Sequence, residues 1–160
     1  MARFVDAHCD IPCGIYDPHL AQIAALTVVR MNQLIAELPK PGPQTTPEER
    51  DNYVHKLARY TAVKEEHAEV CKRELRVLWG DYFTPEHAQK FPELPMLFWD
   101  AMKLASKVRQ EINLKASEDL LAKVQKIAEV FWTTKGAQVK RQPSMQKSGG
   151  ELVYPAGKTA

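Results

Sequence analysis

The sequence predicts an all-α protein, a four-helix bundle with an irregular N-terminal hook and a disordered C-terminal tail. Two observations predict it. Apolar residues recur at spacings of three and four through four long segments, which is typical of amphipathic helices. No strand-like alternation competes with them, and the helical periodicity is lost after residue 136.

The first two helices have clear boundaries in the sequence. Asp17 and Pro18 predict an N-cap followed by proline at the first helical position. The proline-rich segment 39–43 ends this helix. The second helix starts with a capping-box pattern, Thr46 with Glu49, and is expected to run to about residue 80.

The third and fourth helices start near Pro92 and after Ser117, which is the predicted N-cap of the fourth. Gly136 ends the fourth helix. Residues 137–160 contain Pro and Gly residues without periodicity, so we expect a flexible, disordered tail there.

Composition excludes several classes of protein. The 160 residues are 44% apolar and 26% charged with a net charge of +2, which is ordinary for a soluble globular domain. The basic residues are dispersed and no apolar run approaches the roughly 20 residues of a membrane span, so neither a nucleic-acid nor a membrane partner is expected. Residues 1–7 are too short and polar for a signal peptide, which predicts a cytoplasmic protein.

The cysteines direct attention to metal or redox chemistry. The chain has three, an odd number that argues against a disulfide framework, and two of them, Cys9 and Cys13, are close together. Thiolates and the imidazole of His8 suit nickel, copper, zinc or iron, but three side chains are too few for a closed zinc site. Alternatively, Cys9 and Cys13 form a disulfide on oxidation or are an incidental pair. Cys71 is expected to be a small buried apolar residue.

The backbone can complete a metal site at this segment. If the chain is cut between Ala7 and His8, the new α-amine and the amide nitrogen of Cys9 join the two thiolates in a planar arrangement of two nitrogens and two sulfurs. Square-planar nitrogen and sulfur donors select nickel(II) or copper(II). The His8 imidazole then approaches the metal along the axis.

Three motifs carry a resemblance to a known family. They are the N-terminal run His8-Cys9-Asp10-Ile11-Pro12-Cys13-Gly14-Ile15-Tyr16-Asp17-Pro18, the block Leu78-Trp79-Gly80-Asp81-Tyr82-Phe83 and the block Phe131-Trp132-Thr133-Thr134-Lys135. With these motifs, the chain resembles the nickel superoxide dismutases over roughly residues 8–136. The first motif is the most specific, because its chemistry is unusual.

The resemblance implies a processed metalloenzyme. Residues 1–7 are then a propeptide that a maturation protease removes, 8–16 are the hook, 17–136 are the helical bundle and 137–160 are the tail. The mature chain is expected to form a homohexamer with one nickel ion in each subunit. His8 supplies amine and imidazole, Cys9 its amide nitrogen and thiolate, and Cys13 its thiolate.

The resemblance also implies the reaction. One superoxide reduces Ni(III) and leaves as oxygen, and a second reoxidises Ni(II) and leaves as hydrogen peroxide. Tyr16 and Tyr82 match tyrosines beside the open face of the metal, where they limit access and order the water or anion. Asp10 matches an acidic residue that holds the shape of the hook.

The chain departs from the family pattern at three positions. Ala24 stands where a glutamate is usual and His67 where an arginine is usual, both around the hook histidine, and His67 is a weak candidate for a replacement partner. Thr84 stands where a lysine is usual, which predicts weaker attraction of superoxide. The changes at Ala24 and His67 leave open an alternative to the enzyme, a helical bundle that binds nickel, copper or zinc without efficient turnover. A further alternative is a Cys9/Cys13 thiol redox switch.

Overall fold

The computed structural model describes residues 14–158 and confirms the predicted helical bundle. Its helices are α1 (His19–Glu37), α2 (Pro47–Val77), a π-helical turn (Leu78–Tyr82), α3 (Pro85–Lys90), α4 (Leu94–Gln110) and α5 (Leu114–Thr134), and its strands are β1 (Ala137–Pro143) and β2 (Glu151–Lys158). No helix in this part of the chain is long and apolar enough to cross a membrane.

The four long helices form the bundle. Each packs against two others, in the cyclic order α1, α2, α4, α5, and the short α3 lies against α4. The interior is filled by apolar side chains from all four, with small residues such as Ala21, Ala68 and Ala101 where helices approach closely. Phe98 and Phe131 are the largest apolar side chains that are fully buried in this core.

The helix starts confirm one predicted cap and correct another. The Thr46 hydroxyl and the Glu49 carboxylate form the predicted capping box at α2. The predicted N-cap of the last helix, Ser117, is wrong. Asn113 caps α5 by accepting a hydrogen bond from the amide of Ala116, and Ser117 is buried one turn inside the helix.

The buried side of α1 is not the one that the apolar periodicity predicts. Eight residues of the sequence carry the spacing of three and four in this helix, and of these Ala24 and Val28 are buried. We call the other six, which are half-buried or exposed, the outer stripe: Leu20, Ile23, Thr27, Met31, Leu34 and Leu38. At 100° per residue this stripe lies opposite Ala25 and Val29, which face the interior.

One buried lysine holds the end of α4. Lys64 of α2 is 1% exposed, and its ammonium donates hydrogen bonds to the carbonyls of Val108 and Glu111 at 2.7 and 2.6 Å. Carbonyls at a helix C-terminus lack partners within the helix, and a cation is favourable there. Burial nevertheless lowers the pKa of Lys64. This residue therefore secures the α2–α4 contact through polar groups.

The expected disordered tail is contradicted over residues 137–158, which form an antiparallel hairpin of β1 and β2. Gly149 and Gly150, with φ of 71° and 75°, turn the chain immediately before β2. Leu152 and Val153 of β2 are each 1% exposed. The prediction failed because these two apolar residues are the only buried hydrophobic ones that the hairpin offers among its described residues, too few for a periodic signal.

Buried polar contacts dock the hairpin on α1 and α5. The Gln22 amide group, itself fully buried, donates to the carbonyl of Val153 and accepts from its N–H, at 3.1 and 2.8 Å. Gln125 of α5 donates to the carbonyl of Glu151 at 2.7 Å. Backbone N–H and carbonyl groups at the edge of a two-stranded sheet have no strand partner. These glutamine side chains form the hydrogen bonds that a third strand would otherwise form with them.

Gln22→Leu should lower the free energy of unfolding by about 2–3 kcal/mol, because it leaves the buried N–H and carbonyl of Val153 without partners. Urea denaturation followed by circular dichroism measures this. Gln138→Leu on the exposed side of β1 is the matched control and should change stability by less than about 0.5 kcal/mol. Equal midpoints for wild type and Gln22→Leu would show that the hairpin is not docked in this way.

Candidate metal centre

The candidate ligands His8, Cys9 and Cys13, and the acidic residue Asp10, lie outside the described residues. The described chain begins at Gly14, and Tyr16 follows Cys13 by three positions. Three residues of extended chain span at most about 11 Å between Cα atoms. Wherever the hook folds, Cys13 is therefore held within that distance of Tyr16.

Tyr16 and Tyr82 come together, although 66 positions separate them in the sequence. Their ring centres are 5.6 Å apart with an interplanar angle of 53°. Tyr82 also packs on Phe131 of α5 at 4.5 Å and on its neighbour Phe83 at 5.0 Å. We call Tyr16, Tyr82, Phe83, His87 and Phe131 the tyrosine cluster, and it lies beside the chain that leads to the hook.

The π-helical turn sets the direction of Tyr82. Within this turn the helix of α2 widens and then ends, and Phe83 N–H closes it by donating to the carbonyl of Leu78 at 2.9 Å. Such turns often occur at functional sites because they redirect side chains. Here Tyr82 is half-buried while Phe83 enters the core.

The Tyr82 hydroxyl is held in place. It shares a hydrogen bond of 2.7 Å with the hydroxyl of Thr134, which itself donates to the carbonyl of Phe131 at 2.6 Å. Since the Thr134 proton goes to that carbonyl, Tyr82 donates to Thr134. The phenol oxygen keeps its lone pairs for a further donor, such as a water molecule.

Two further side chains contact the Tyr82 ring. His87 of α3 stacks on it with ring centres 5.7 Å apart and an angle of 14°, and His87 Nδ1 accepts a hydrogen bond from the amide of Thr84. On another side, the Lys135 ammonium lies 5.0 Å from the ring centre. Sequence reasoning missed the contacts of Thr134, His87 and Lys135. Thr134 and Lys135 belong to the third motif of the sequence, but their approach to Tyr82 depends on helix packing.

The structure places His67 and Ala24 in the bundle without showing a role for either at the metal. His67 lies half-buried in α2, and its Nδ1 donates to the carbonyl of Val63 in the same helix at 2.9 Å. Ala24 is 1% exposed in α1 and has no polar atom to offer the hook histidine.

The described residues offer no alternative set of nickel ligands. No group of three His, Cys, Asp or Glu side chains suited to a metal occurs among residues 14–158. Cys71 is fully buried, and its burial, followed by the negative charge of Glu74, raises the pKa of the thiol to about 12. A thiol must lose its proton to bind a metal, so Cys71 is unsuited as a ligand.

Fold and site together define a small helical-bundle protein in which the chain just before the first helix contacts a cluster of aromatic side chains. The model of the family "Nickel-containing superoxide dismutase" matches residues 3–135. The chain belongs to this family. Membership confirms the predicted enzyme class, superoxide as substrate and nickel as cofactor.

Individual relatives agree with the family match. The chain is 37% identical to a nickel superoxide dismutase of Streptomyces coelicolor over 133 residues, which is 83% of this chain and 92% of the relative. It is 35% identical to that of Streptomyces seoulensis with the same coverage. A native nickel superoxide dismutase structure superposes with a TM-score of 0.68 at 35% identity, covering 80% of this chain and 99% of the other. A structure with the nickel ligation of the oxidised state gives a TM-score of 0.69, covering 81% and 100%.

Proposed function

We propose that this chain dismutates superoxide at a nickel ion held by its hook after cleavage between Ala7 and His8. His8 binds through its amine and imidazole, Cys9 through its amide nitrogen and thiolate, and Cys13 through its thiolate. When bound, nickel supplies a Ni(III)/Ni(II) couple that one superoxide reduces and a second reoxidises. The observation that carries this proposal is the family match together with the tyrosine cluster within reach of Cys13.

In this proposal Tyr16 and Tyr82 limit access to the metal and order the water or anion beside it. Their rings contact each other at a tilted angle and together form one side of the proposed site. Phe131 packs against the Tyr82 ring from the core. The Tyr82 hydroxyl points in a fixed direction because Thr134 accepts its proton. Asp10 holds the shape of the hook, and His67 is a weak candidate for orienting the hook histidine.

Cleavage distinguishes the dismutase from the two alternative functions, since only the dismutase requires the free amine of His8. A chain beginning at His8, reconstituted with nickel, should consume superoxide, and the same chain with residues 1–7 attached should not. Pulse radiolysis with nickel quantification measures both properties. Cys9→Ser and Cys13→Ser should abolish activity, because a serine hydroxyl does not replace a thiolate as a donor to nickel.

Cys71→Ala is the matched control for the hook cysteines. It should retain nickel and activity while losing stability, because its thiol is buried away from any donor group. A trimmed chain that binds nickel but does not consume superoxide would contradict the enzyme and favour the non-catalytic bundle. Activity in the untrimmed chain would contradict the amine ligand.

Tyr82→Phe should lower kcat by about five-fold, the equivalent of a hydrogen bond worth about 1 kcal/mol, while stability changes little because the ring contacts remain. Thr134→Val is the matched variant, which keeps the hydroxyl of Tyr82 but removes its acceptor. A smaller loss in Thr134→Val would show that the phenol acts directly. If Tyr82→Phe kept the wild-type kcat, the hydroxyl of Tyr82 would have no role in the proposed site.

We also propose a homohexamer and a cytoplasmic location for the mature chain. The outer stripe of α1 supports assembly, because an apolar row at helical spacing that faces away from the bundle interior is suited to a protein–protein contact. The fully buried residues of α1, such as Ala21, Ala25 and Val28, lie on another side of the helix, and of the outer stripe only Ile23 also packs against the core.

Met31→Glu should dissociate the assembly, because it places a charge in the middle of the outer stripe. Native mass spectrometry should find six subunits for wild type and smaller species for the variant. Val54→Glu is the matched control, since Val54 is an isolated apolar residue of α2 with 61% exposure. A hexamer in Met31→Glu would exclude this stripe from the subunit contacts, and a monomeric wild type would exclude the hexamer itself.

A further inference from the structure

The chain that leads into α1 contacts both the bundle and the hairpin. Residues 16–19 form this link, which we call the entry segment. At its start the ring of Tyr16 contacts that of Tyr82, with ring centres 5.6 Å apart. At its end the ring of His19 contacts that of Tyr154 in β2, with ring centres 5.6 Å apart and an interplanar angle of 39°. The entry segment is therefore held at each end by an aromatic contact.

The entry segment itself has little conformational freedom. The Asp17 carboxylate accepts a hydrogen bond from the amide of His19 at 2.7 Å, and Pro18, whose ring restricts its φ, is buried. The carbonyl of Pro18 accepts from the amide of Gln22 at 3.2 Å and begins the first turn of α1. Because the segment is stiff, a displacement of His19 also displaces Tyr16, three positions earlier.

The hairpin has contacts that dock it independently of the Tyr154 ring. Leu152 and Val153 are each 1% exposed, and Gln22 binds both backbone groups of Val153. Tyr154 follows them in β2 and is half-buried. An open cleft of about 240 Å³ lies beside Tyr154 and His19, so their contact is not part of the close-packed core. Removing the Tyr154 ring should therefore leave the hairpin in place.

We propose that Tyr154 is a positioning residue of the metal centre. Through His19 it fixes the entry segment, and thereby the place of the hook relative to the tyrosine cluster. This inference rests on the proposed function, because the hook is the proposed nickel site. The Cα atoms of Cys13 and Tyr16 are at most about 11 Å apart, so freedom of the entry segment becomes freedom of a nickel ligand.

The proposal gives the hairpin a role in the metal centre that it performs at a distance. The hairpin lies beyond the family match, which ends at residue 135. Tyr154 touches neither the nickel nor superoxide in this proposal, and it transfers no proton or electron. Its effect is on the geometry of the ligands, and that geometry can be measured separately from turnover.

The first test is nickel binding by the trimmed chain, measured by competition with a chelator. Tyr154→Ala should weaken nickel binding about ten-fold, the lower end of the effect of groups that orient metal ligands. It should also broaden the electron paramagnetic resonance signal of the Ni(III) form. Tyr154→Phe should match wild type in both measurements, because it keeps the ring that contacts His19.

A double variant tests whether Tyr154 acts through His19. His19→Ala should weaken nickel binding as much as Tyr154→Ala does. The double variant should be no weaker than either single one, because all three lack the same contact. Additive losses would show that Tyr154 acts by another route and would overturn the proposal.

Val139→Ala is the matched control. Val139 is half-buried on β1, the other strand of the hairpin, and it is the register partner of Pro155, next to Tyr154. Its nickel affinity and Ni(III) signal should equal those of wild type. Equal losses of nickel affinity in Val139→Ala and Tyr154→Ala would show a general loosening of the hairpin and would contradict the proposal.

A further measurement needs neither nickel nor turnover. In the full chain without nickel, the nuclear Overhauser effects between the rings of Tyr16 and Tyr82 should weaken in Tyr154→Ala and persist in Tyr154→Phe. Unchanged effects in Tyr154→Ala would overturn the proposal. A wild-type chain that binds nickel but does not dismutate superoxide contradicts the proposed function instead, and it leaves these structural readouts valid.

Discussion

The packing of Tyr82 between Tyr16 and Phe131 is the contact on which the site depends. It joins the segment before α1, the π-helical turn after α2 and the end of α5 at one point. Tyr16 is close to the hook in the sequence, since only Gly14 and Ile15 separate it from Cys13. In the proposed function, this connection keeps the metal site close to the tyrosine cluster.

In this arrangement a short segment and a rigid bundle have different roles. In the proposed function the hook supplies the donor atoms, which are chemically unusual and need few residues. The bundle supplies the surroundings of the metal, which need fixed directions and therefore need packing. Tyr82 shows the second requirement clearly, since its ring is fixed by aromatic contacts and its hydroxyl by Thr134.

Buried polar groups fix the parts of the fold that apolar packing leaves free. Lys64 closes the end of α4, and Asn32 donates to the hydroxyl of Ser117 at 2.8 Å, which fixes α1 against the start of α5. Gln22 binds both backbone groups of Val153 in the hairpin. Each of these bonds is directional, so it selects one register between elements, whereas leucine and alanine contacts tolerate small slips. The hairpin lies beyond the family match, which ends at residue 135, and these bonds make it part of the same fold.

The sequence by itself determined the four long helices, their approximate boundaries and the capping box at Thr46, and it predicted the donor set His8, Cys9 and Cys13. These depend on periodicity, capping and ligand chemistry, which are local properties of the chain. Only the tertiary structure decided which side of α1 is buried, because neighbouring elements and not the apolar spacing choose that side. It also decided that residues 137–158 fold, through glutamine bonds to backbone groups that no pattern displays. The meeting of Tyr16, Tyr82 and Lys135 belongs to this second group, because residues far apart in the chain approach each other only when the helices pack.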